Sequence, residues 1–410
     1  MKRRNLPQMV FFILMLVSLL LFAIGIVLTR GQALINLLHQ DDRDTFMDLF
    51  NNLSCPRNAY SLGASYPPAA ILLYGVLAHS VPSHLRDAFN PSNHYVIRDS
   101  QAGLMLYVVL LIIILLVFSF FFKKIVCGSC VQQEIALWCV LFSVPFLFSY
   151  ERGNLVLFSL IFTLIYIWGF DRKELWIRWL AFLSLSLAAA IKIYPAVLGL
   201  LLVRERRWKD ASILVCMGAL IFMLPFLYFD GGISNVFAMI HNLTVASDTM
   251  ATASFGIKHD LSNFLNFLTY TTGIPFASFS TLLVVVLMCS VCIVVVIHPR
   301  MPLWRAVTLL SSLMILVPGF SYTYTLLFMA PPLALFLRDA GKDPTYIRSD
   351  CLSAVFFAAL FAPLVMPELV DVSGVMQRYY LTPVTLMENI ALLVLVIGLL
   401  SREVLSTARQ

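Results

Sequence analysis

The stretch LAAAIKIYPAVLGLLLV, residues 187–203, decides how this chain folds. It is apolar enough to lie within a membrane, yet Lys192 and Pro195 stand in its middle. A proline inside a helix removes a backbone hydrogen bond and kinks or breaks the helix. A lysine at mid-membrane depth costs about 2.5–3.5 kcal/mol on insertion scales and usually has a partner or a function. The stretch therefore predicts a broken membrane helix with an ammonium group at the break.

The composition of the whole chain requires lipid around it. The 410 residues are 60% hydrophobic and 12% charged, with a mean hydropathy of +0.89. A soluble protein has about 25% charged residues, and a single core stops growing at roughly 250–300 residues. The net charge of +6 is spread over short loops, which is typical of membrane topology and gives no indication of a nucleic-acid partner.

Ten apolar runs are long enough to be candidate membrane spans, and two further segments are irregular. The ten runs are 8–29, 101–122, 132–149, 154–169, 210–229, 277–297, 303–318, 322–337, 350–367 and 384–400. Segment 67–82 is short and begins with Pro-Pro, and segment 176–203 contains the break described above. We therefore expect an all-α polytopic membrane protein with broken or re-entrant segments at these two places, folded as a single integral domain over 1–410.

The distribution of basic residues predicts the orientation. With the N-terminus inside and the ten runs alternating, most of the 28 Lys and Arg residues lie in cytoplasmic loops, as the positive-inside rule requires. The extracytoplasmic side then receives the first outer loop, 30–100, and a long loop, 230–276. The polar residues that could bind a substrate or take part in a reaction then lie on this face.

Three cations on that face are candidates for binding a phosphate group. Lys192 lies where freed backbone N–H groups and an ammonium would meet an anion, although a lysine near a helix end can also extend to the interface. Arg152, in YERGN, suits a phosphate oxygen, and its alternative is a surface pair with Glu151. Arg378, in VMQRYY, is the third. Asn154 is well placed to cap the following helix.

A cluster of acids follows the first span, in HQDDRDTFMDLFNNL, residues 39–53. If this stretch is helical, Asp44 and Asp48 lie four residues apart on one face. A carboxylate there can deprotonate a sugar hydroxyl, bind a divalent cation together with Asp41 and Asp42, or simply be solvated. The sequence alone leaves these three readings open.

Two other outer segments supply candidate substrate contacts. Segment 65–82 opens with Tyr66 and continues as an apolar helix that can lie against lipid or a lipid substrate. His259 precedes an amphipathic run in the loop 230–276, although a single loop histidine is more often structural. The CGSC motif at Cys127 and Cys130 has no second pair at ligand spacing, so we predict no metal site there.

The ordered set of these motifs resembles glycosyltransferase family 87. The set comprises an outer Asp after the first span, YPP with an apolar helix, a Gly-Asn pair opening a span, the lysine–proline element and the basic turn RERRWKD. That family contains the polyprenol-phosphate-dependent, mannosyltransferase-like membrane enzymes of the GT-C class. The resemblance extends over about 8–340.

The resemblance implies a GT-C-type bundle of about 10–13 transmembrane helices in the plasma membrane, with the active site on the extracytoplasmic face. It implies inverting transfer of a hexose, mannose-like, from a polyprenyl-phosphate donor to a lipid-linked or glycan acceptor of the cell envelope. Asp44 aligns with the family's proposed base, with Asp48 as the second choice. Lys192 and Tyr194 match the lysine–proline element and are expected to bind the donor phosphate together with Arg152 and Arg378. The expected acceptor or substrate contacts are Tyr66, Asn154, His259 and Tyr324. No cofactor is required with certainty, and a divalent cation is a candidate.

The sequence departs from the family pattern at two places. Tyr324, in SYTYT, stands where the family often has a histidine, and KHDLS replaces an N-Q-S element, so His259 is expected to take over part of that element's role. A transporter or flippase of a lipid-linked saccharide is the alternative function, because broken helices with midplane charge also mark transporters. Transporters usually have repeated halves, and we find no internal repeat.

Overall fold

The structure, a computed structural model, describes residues 5–38, 45–89, 93, 95–252, 256–319, 321–364 and 381–407. For 247–252 and 406–407 it describes the backbone only. The described chain is helical throughout and none of it forms a β-strand, apart from one isolated antiparallel bridge between Lys258 and Tyr322. The predicted all-α class is confirmed.

The α-helices of the described residues are numbered in chain order. They are α1 (Leu6–Leu28), α2 (Gln32–Leu38), α3 (Met47–Phe50), α4 (Pro68–His79), α5 (Ser83–Ala88), α6 (Gln101–Val126), α7 (Cys130–Leu141), α8 (Val144–Arg152), α9 (Val156–Gly169), α10 (Leu175–Ile191), α11 (Leu200–Arg204), α12 (Trp208–Met223), α13 (Asn235–Thr252), α14 (Leu261–Thr272), α15 (Ser280–Ile297), α16 (Leu303–Leu316), α17 (Ala330–Asp339), α18 (Ile347–Phe361) and α19 (Pro383–Thr407). Short 3-10 helices join several of them, at Tyr194–Gly199, Leu224–Tyr228, Gly232–Ser234, Phe276–Phe279, Thr323–Met329 and Pro344–Tyr346.

Five helices of the described chain are long and apolar enough to cross a membrane. They are Leu6–Leu28, Gln101–Val126, Trp208–Tyr228, Phe276–Ile297 and Pro383–Leu405. A sixth candidate is the pair α7 and α8, which bend by 54° at their junction. A polytopic membrane protein is therefore what the structure shows.

The other predicted spans are shorter helices, because proline and turns divide them. α9 and α16 have 14 residues each, or about 21 Å at 1.5 Å per residue, against a hydrocarbon core about 30 Å thick. The run 322–337 divides into a 3-10 helix and α17, where Pro331 and Pro332 stand in the first turn. The apolar runs of the sequence therefore predict ten spans. The length and composition of the described helices give five or six.

Burial separates two populations of apolar helices. α16 buries every residue from Trp304 to Leu316, and α17 buries Ala330 to Leu337. The long helices instead expose large apolar side chains, such as Leu20 at 62% and Leu116 at 67%. Lipid is the solvent that suits such exposed surface, so the long helices surround an inner group of short ones.

The break predicted at Lys192 is present. α10 ends at Ile191, Lys192 is extended with φ −138° and ψ 120°, and the chain continues as the 3-10 helix Tyr194–Gly199. Pro195 lies in the first turn of that helix, where a missing N–H is tolerated. The side chain of Lys192 therefore projects from a helix end and not from a helix wall.

The described part of the acid segment, from residue 45 onward, contains only a short helix, and Asp44 lies outside the described residues. α3 covers only Met47–Phe50, because Phe46 has a left-handed backbone with φ +62°. The backbone N–H of Phe46 donates to the carbonyl of Glu151 at 2.7 Å. This contact joins the acid segment to the end of α8 and positions Asp48 beside the loop between α8 and α9.

Candidate active site

The carboxylate of Asp48 is the centre of a polar cluster that the fold assembles from distant segments. Nη2 of Arg152 donates to Oδ1 of Asp48 at 3.0 Å, and Nδ2 of Asn154 donates to Oδ2 at 2.8 Å. Both oxygens of the carboxylate thus accept a hydrogen bond, and one partner is charged. The side chains of Asp48 and Arg152 are 18% and 23% exposed, so a ligand has access to a pair that is largely shielded from water.

The loop between α8 and α9 holds these two partners. Gly153 ends α8 with φ +67°, a backbone that glycine adopts at low cost. A Cβ at Gly153 would lie 3.3 Å from Cβ of Leu49 and from the carbonyl oxygen of Phe46. Glycine therefore provides both the turn and the close approach that brings Arg152 and Asn154 to Asp48.

Asn154 satisfies a backbone N–H at the start of α9 and makes a second contact, although the N-cap residue itself is Leu155. Oδ1 of Asn154 accepts a hydrogen bond from the backbone N–H of Val156 at 2.9 Å, at the start of α9. Its Nδ2 is then directed at Asp48. The alternative interpretation of Arg152 was a surface pair with Glu151, but Arg152 forms an ion pair with Asp48 and Glu151 is buried.

The ammonium of Lys192 lies between two tyrosine rings. Its Nζ is 4.9 Å from the ring centroid of Tyr66 and 5.9 Å from that of Tyr324, within the range of cation–π attraction. Tyr324 also stacks on Phe148, with ring centroids 6.1 Å apart. Three residues predicted from separate motifs, Lys192, Tyr66 and Tyr324, are therefore brought together, and Tyr194 follows two residues after the lysine.

His259 lies in a different environment from the one predicted. It is fully buried, and its Nε2 is 2.8 Å from Oε2 of Glu388, which is 1% exposed. Its backbone N–H donates to the carbonyl of Ser321 at 2.6 Å, and Nδ2 of Asn389 donates to the carbonyl of the preceding Lys258 at 3.2 Å. These contacts attach the segment 258–260 to α19.

Burial changes the acidity of the next residue. Asp260 caps α14 by accepting a hydrogen bond from the N–H of Asn263 at 2.8 Å. It lies outside the candidate spans and is 4% exposed. Burial raises the pKa of this carboxyl to about 6, against the opposing effect of the hydrogen bond from Asn263.

Two predicted site residues, Asp44 and Arg378, lie outside the described residues, as do Asp41 and Asp42. Within the part of the chain that the structure describes, there is no group of three His, Cys, Asp or Glu side chains arranged to hold a metal ion. The described part of the candidate site is thus one carboxylate, one guanidinium, one ammonium and aromatic hydroxyls.

Sequence reasoning missed two residues of these clusters. Tyr74 donates its hydroxyl to the backbone carbonyl of Asp48 at 3.1 Å and packs edge-on against Tyr66, with centroids 5.9 Å apart. Nothing in an apolar helix pattern marks that tyrosine. Glu388 did carry a signal, because an acid inside a long apolar run is costly and is usually paired.

The arrangement can stabilise negative charge in a shielded place. Two fixed cations, Arg152 and Lys192, flank aromatic walls, and electrostatic contacts gain strength where water is excluded. A carboxylate with both oxygens hydrogen-bonded is well suited to orienting its partners. The described site therefore fits an anionic substrate group.

A family model described as glycosyltransferase family 87 matches residues 64–319, which is more than half of the 410 residues. The match covers Tyr66, Arg152, Asn154, Lys192 and His259, and it begins after Asp48. No curated protein and no solved structure matched the chain.

Proposed function

The chain belongs to glycosyltransferase family 87, and we propose that it transfers a hexose, mannose-like, from a polyprenyl-phosphate donor to a lipid-linked or glycan acceptor. As a member of that family it is an enzyme that transfers sugar, and family membership selects this class over a transporter or flippase. The donor, the acceptor and the residue roles are the proposal. Its support is the joining of Asp48, Arg152 and Asn154 beside an ammonium at a broken helix.

The donor phosphate is proposed to lie between Arg152 and Lys192. A polyprenyl phosphate leaves with the electron pair of the bond to the anomeric carbon, so negative charge accumulates on its oxygens. Fixed cations aimed at that charge contribute more in the transition state than in the ground state. The aromatic rings around Lys192 are uncharged, which leaves its ammonium able to contact the phosphate. Arg378 is proposed as a third contact.

Asp44 remains the proposed base and Asp48 becomes a positioning residue. The acceptor hydroxyl gives its proton to the base as its oxygen bonds to the anomeric carbon and the phosphate departs, a single displacement that inverts the centre. Asp48 is less suited to accept that proton, because Arg152 and Asn154 already bind its two oxygens. Its proposed role is to hold Arg152 in place.

The charge distribution supports a plasma-membrane protein whose single enzymatic unit, 1–410, opens to the extracytoplasmic side. In that orientation the basic turn Arg204–Lys209 lies inside, while Asp48, Arg152 and the loop 230–276 lie outside. The acceptor would be a glycan or glycolipid of the cell envelope. EDTA in the transfer assay tests whether a divalent cation held by the acids at 41–44 assists.

The test is transfer by the purified protein in lipid nanodiscs, with a radiolabelled polyprenyl-phosphate hexose and membrane glycolipid as acceptor. Asp44→Asn is expected to lower kcat at least 10²-fold, the usual contribution of a general base, whereas Asp99→Asn, at an exposed acid outside the candidate site, is the matched control. Lys192→Met is expected to lower kcat by about 10²–10³-fold through loss of charge stabilisation. Transfer that is unchanged in Asp44→Asn removes it as the base, and movement of intact lipid-linked sugar with no new glycosidic bond overturns the proposal.

A further inference from the structure

A cavity lies beside the candidate active site, between the segment that follows α3 and the helix α4. Its volume is about 320 Å³, at the lower end of the roughly 300–1,000 Å³ usual for small-molecule sites. Its lining is Asn51, Asn52, Ser54, Pro56, Ala59, Leu62, Gly63, Ala64, Ser65, Tyr66, Ile71 and Tyr74. The cavity is open on one side, where Asn51 and Leu62 are exposed.

The lining of this cavity is uncharged, unlike the candidate phosphate site with Arg152 and Lys192. None of the twelve described lining residues is an Asp, Glu, His, Lys or Arg. The polar groups are two side-chain amides and several hydroxyls, which both donate and accept hydrogen bonds. The aromatic rings of Tyr66 and Tyr74 supply apolar surface with a polar tip. A neutral sugar ring, which carries hydroxyl groups and has apolar C–H faces, matches such a lining. An ionised group does not match it.

The cavity is coupled to the active site through the residues that form its walls. Nδ2 of Asn52 and the hydroxyl of Tyr74 both donate to the backbone carbonyl of Asp48, at 3.0 and 3.1 Å. Tyr66 lines the cavity while its ring centroid lies 4.9 Å from Nζ of Lys192. A molecule in the cavity would therefore be separated from the ammonium by a single aromatic ring.

The walls of the cavity are held in place by the surrounding fold. Nδ2 of Asn242, on α13, donates to the carbonyls of Tyr60 and Ala64 at 2.9 and 3.0 Å. A Cβ at Gly75 would lie 2.5 Å from Cβ of Cys55, so the segment packs against α4 as closely as a glycine allows. A preformed site loses less entropy on binding than one that must be ordered.

We propose that this cavity binds an uncharged saccharide unit of the acceptor, with Tyr66 as the wall that it shares with the Lys192 site. The inference rests on the proposed function and adds the substrate class to it. It excludes phosphorylated and carboxylated sugars from the acceptor position, because the described lining offers no cation to compensate their charge.

The test measures binding directly and does not depend on turnover. Neutral methyl pyranosides of several hexoses, and the anionic methyl glucuronide, are titrated against the full-length protein in nanodiscs, with ligand-observed saturation-transfer NMR as the readout. At least one neutral glycoside is expected to bind, at least 10-fold more tightly than the glucuronide. Asn51→Ala is expected to weaken binding by about 3- to 10-fold, as for the loss of one neutral hydrogen bond.

Two further variants keep the test falsifiable. Ser54→Phe inserts a ring into the cavity from an exposed position and is expected to abolish binding. Asn58→Ala is the matched control, since Asn58 is an exposed asparagine of the same segment outside the lining. Thermal unfolding of each variant shows that it is folded.

The outcomes separate the cavity from the proposed function. Equal binding of the glucuronide, no binding of any neutral glycoside, or equal effects of Asn51→Ala and Asn58→Ala would each overturn the cavity assignment, whatever the transfer assay shows. If binding depends on Asn51 and yet polyprenyl-phosphate hexose is not used, the cavity assignment stands while the proposed donor is refuted.

Discussion

Replacing Asp48 by asparagine tests the centre of the candidate site most directly. The substitution keeps the size of the side chain and removes the charge that Arg152 and Asn154 contact at 3.0 and 2.8 Å. A hydrogen bond to a charged group contributes about 1.5–3 kcal/mol, and removing one partner of a fully buried ion pair costs about 3–5 kcal/mol. Since the two side chains are 18% and 23% exposed, solvent screening lowers the expected cost to about 2 kcal/mol.

The consequence for catalysis is expected to exceed the loss of stability. If Asp48 positions Arg152, its loss lets the guanidinium move, and a displacement of about 1 Å at a reacting group lowers the rate roughly 10²-fold. We therefore expect kcat for hexose transfer to fall about 10²-fold in Asp48→Asn, with a smaller change in KM. Asp48→Glu restores the charge and is expected to recover part of the rate.

The assays are single-turnover transfer in nanodiscs and thermal unfolding in detergent. Asp99→Asn is the matched control, because Asp99 pairs with Arg98 at 2.8 Å but is 62% exposed, and exposed pairs contribute about 0–1 kcal/mol. A double-mutant cycle with Arg152→Gln should give a coupling of at least about 1 kcal/mol. Additive effects of Asp48→Asn and Arg152→Gln on both readouts would refute the argument that the two act as a pair.

Three further predictions address the surrounding structure. Glu388→Gln weakens a buried contact with His259 at 2.8 Å and should destabilise the protein by about 1–3 kcal/mol, the cost of a buried polar group left without its partner. In thermal unfolding, the double variant His259→Phe, Glu388→Leu should be less affected than the sum of the single variants. Gly153→Ala should cost about 1–2 kcal/mol of left-handed strain and also slow transfer by displacing the cluster, whereas Gly273→Ala, with φ +73° and open space around it, should show the strain alone. Burial raises the pKa of Asp260 to about 6 in the folded protein. The protonated carboxyl therefore contributes on the order of 2–3 kcal/mol to the free energy of unfolding below about pH 4, and this contribution is lost as pH rises through 6. Asp260→Asn, which keeps the cap, should remove that slope from the unfolding free energy measured between pH 4 and 7.

Particular residues show how far the sequence led. Pro195 and Lys192 correctly predicted the break after α10, because a proline breaks a helix and a lysine within lipid is energetically costly. Asn154 was predicted as a cap from its place before an apolar run; it accepts a hydrogen bond from the first N–H of α9, but the N-cap residue is Leu155. The four-residue spacing of Asp44 and Asp48 left a helix open as one possibility, and the described helix starts only at Met47, after the left-handed Phe46.

The pairing of residues could not be predicted, because it depends on contacts between distant segments. Arg152 and Asp48 are separated by 104 positions, and nothing local distinguishes that pair from the neighbouring Glu151 and Arg152. His259 and Glu388 are 129 positions apart, and the predicted substrate-facing histidine became a buried structural one. Asp44, Tyr194 and Arg378 keep the roles proposed for them as hypotheses.

The sequence by itself determined the solvent, the helical class and the family, since hydropathy, proline positions and ordered motifs are local and additive along the chain. Tertiary structure decided which carboxylate meets which cation. The left-handed turns at Phe46 and Gly153 bring the segment of Asp48 and the loop between α8 and α9 within hydrogen-bond distance. The donor–acceptor distance of a hydrogen bond varies by only a few tenths of an ångström. That precision arises from packing between helices, and no spacing rule along one helix can supply it.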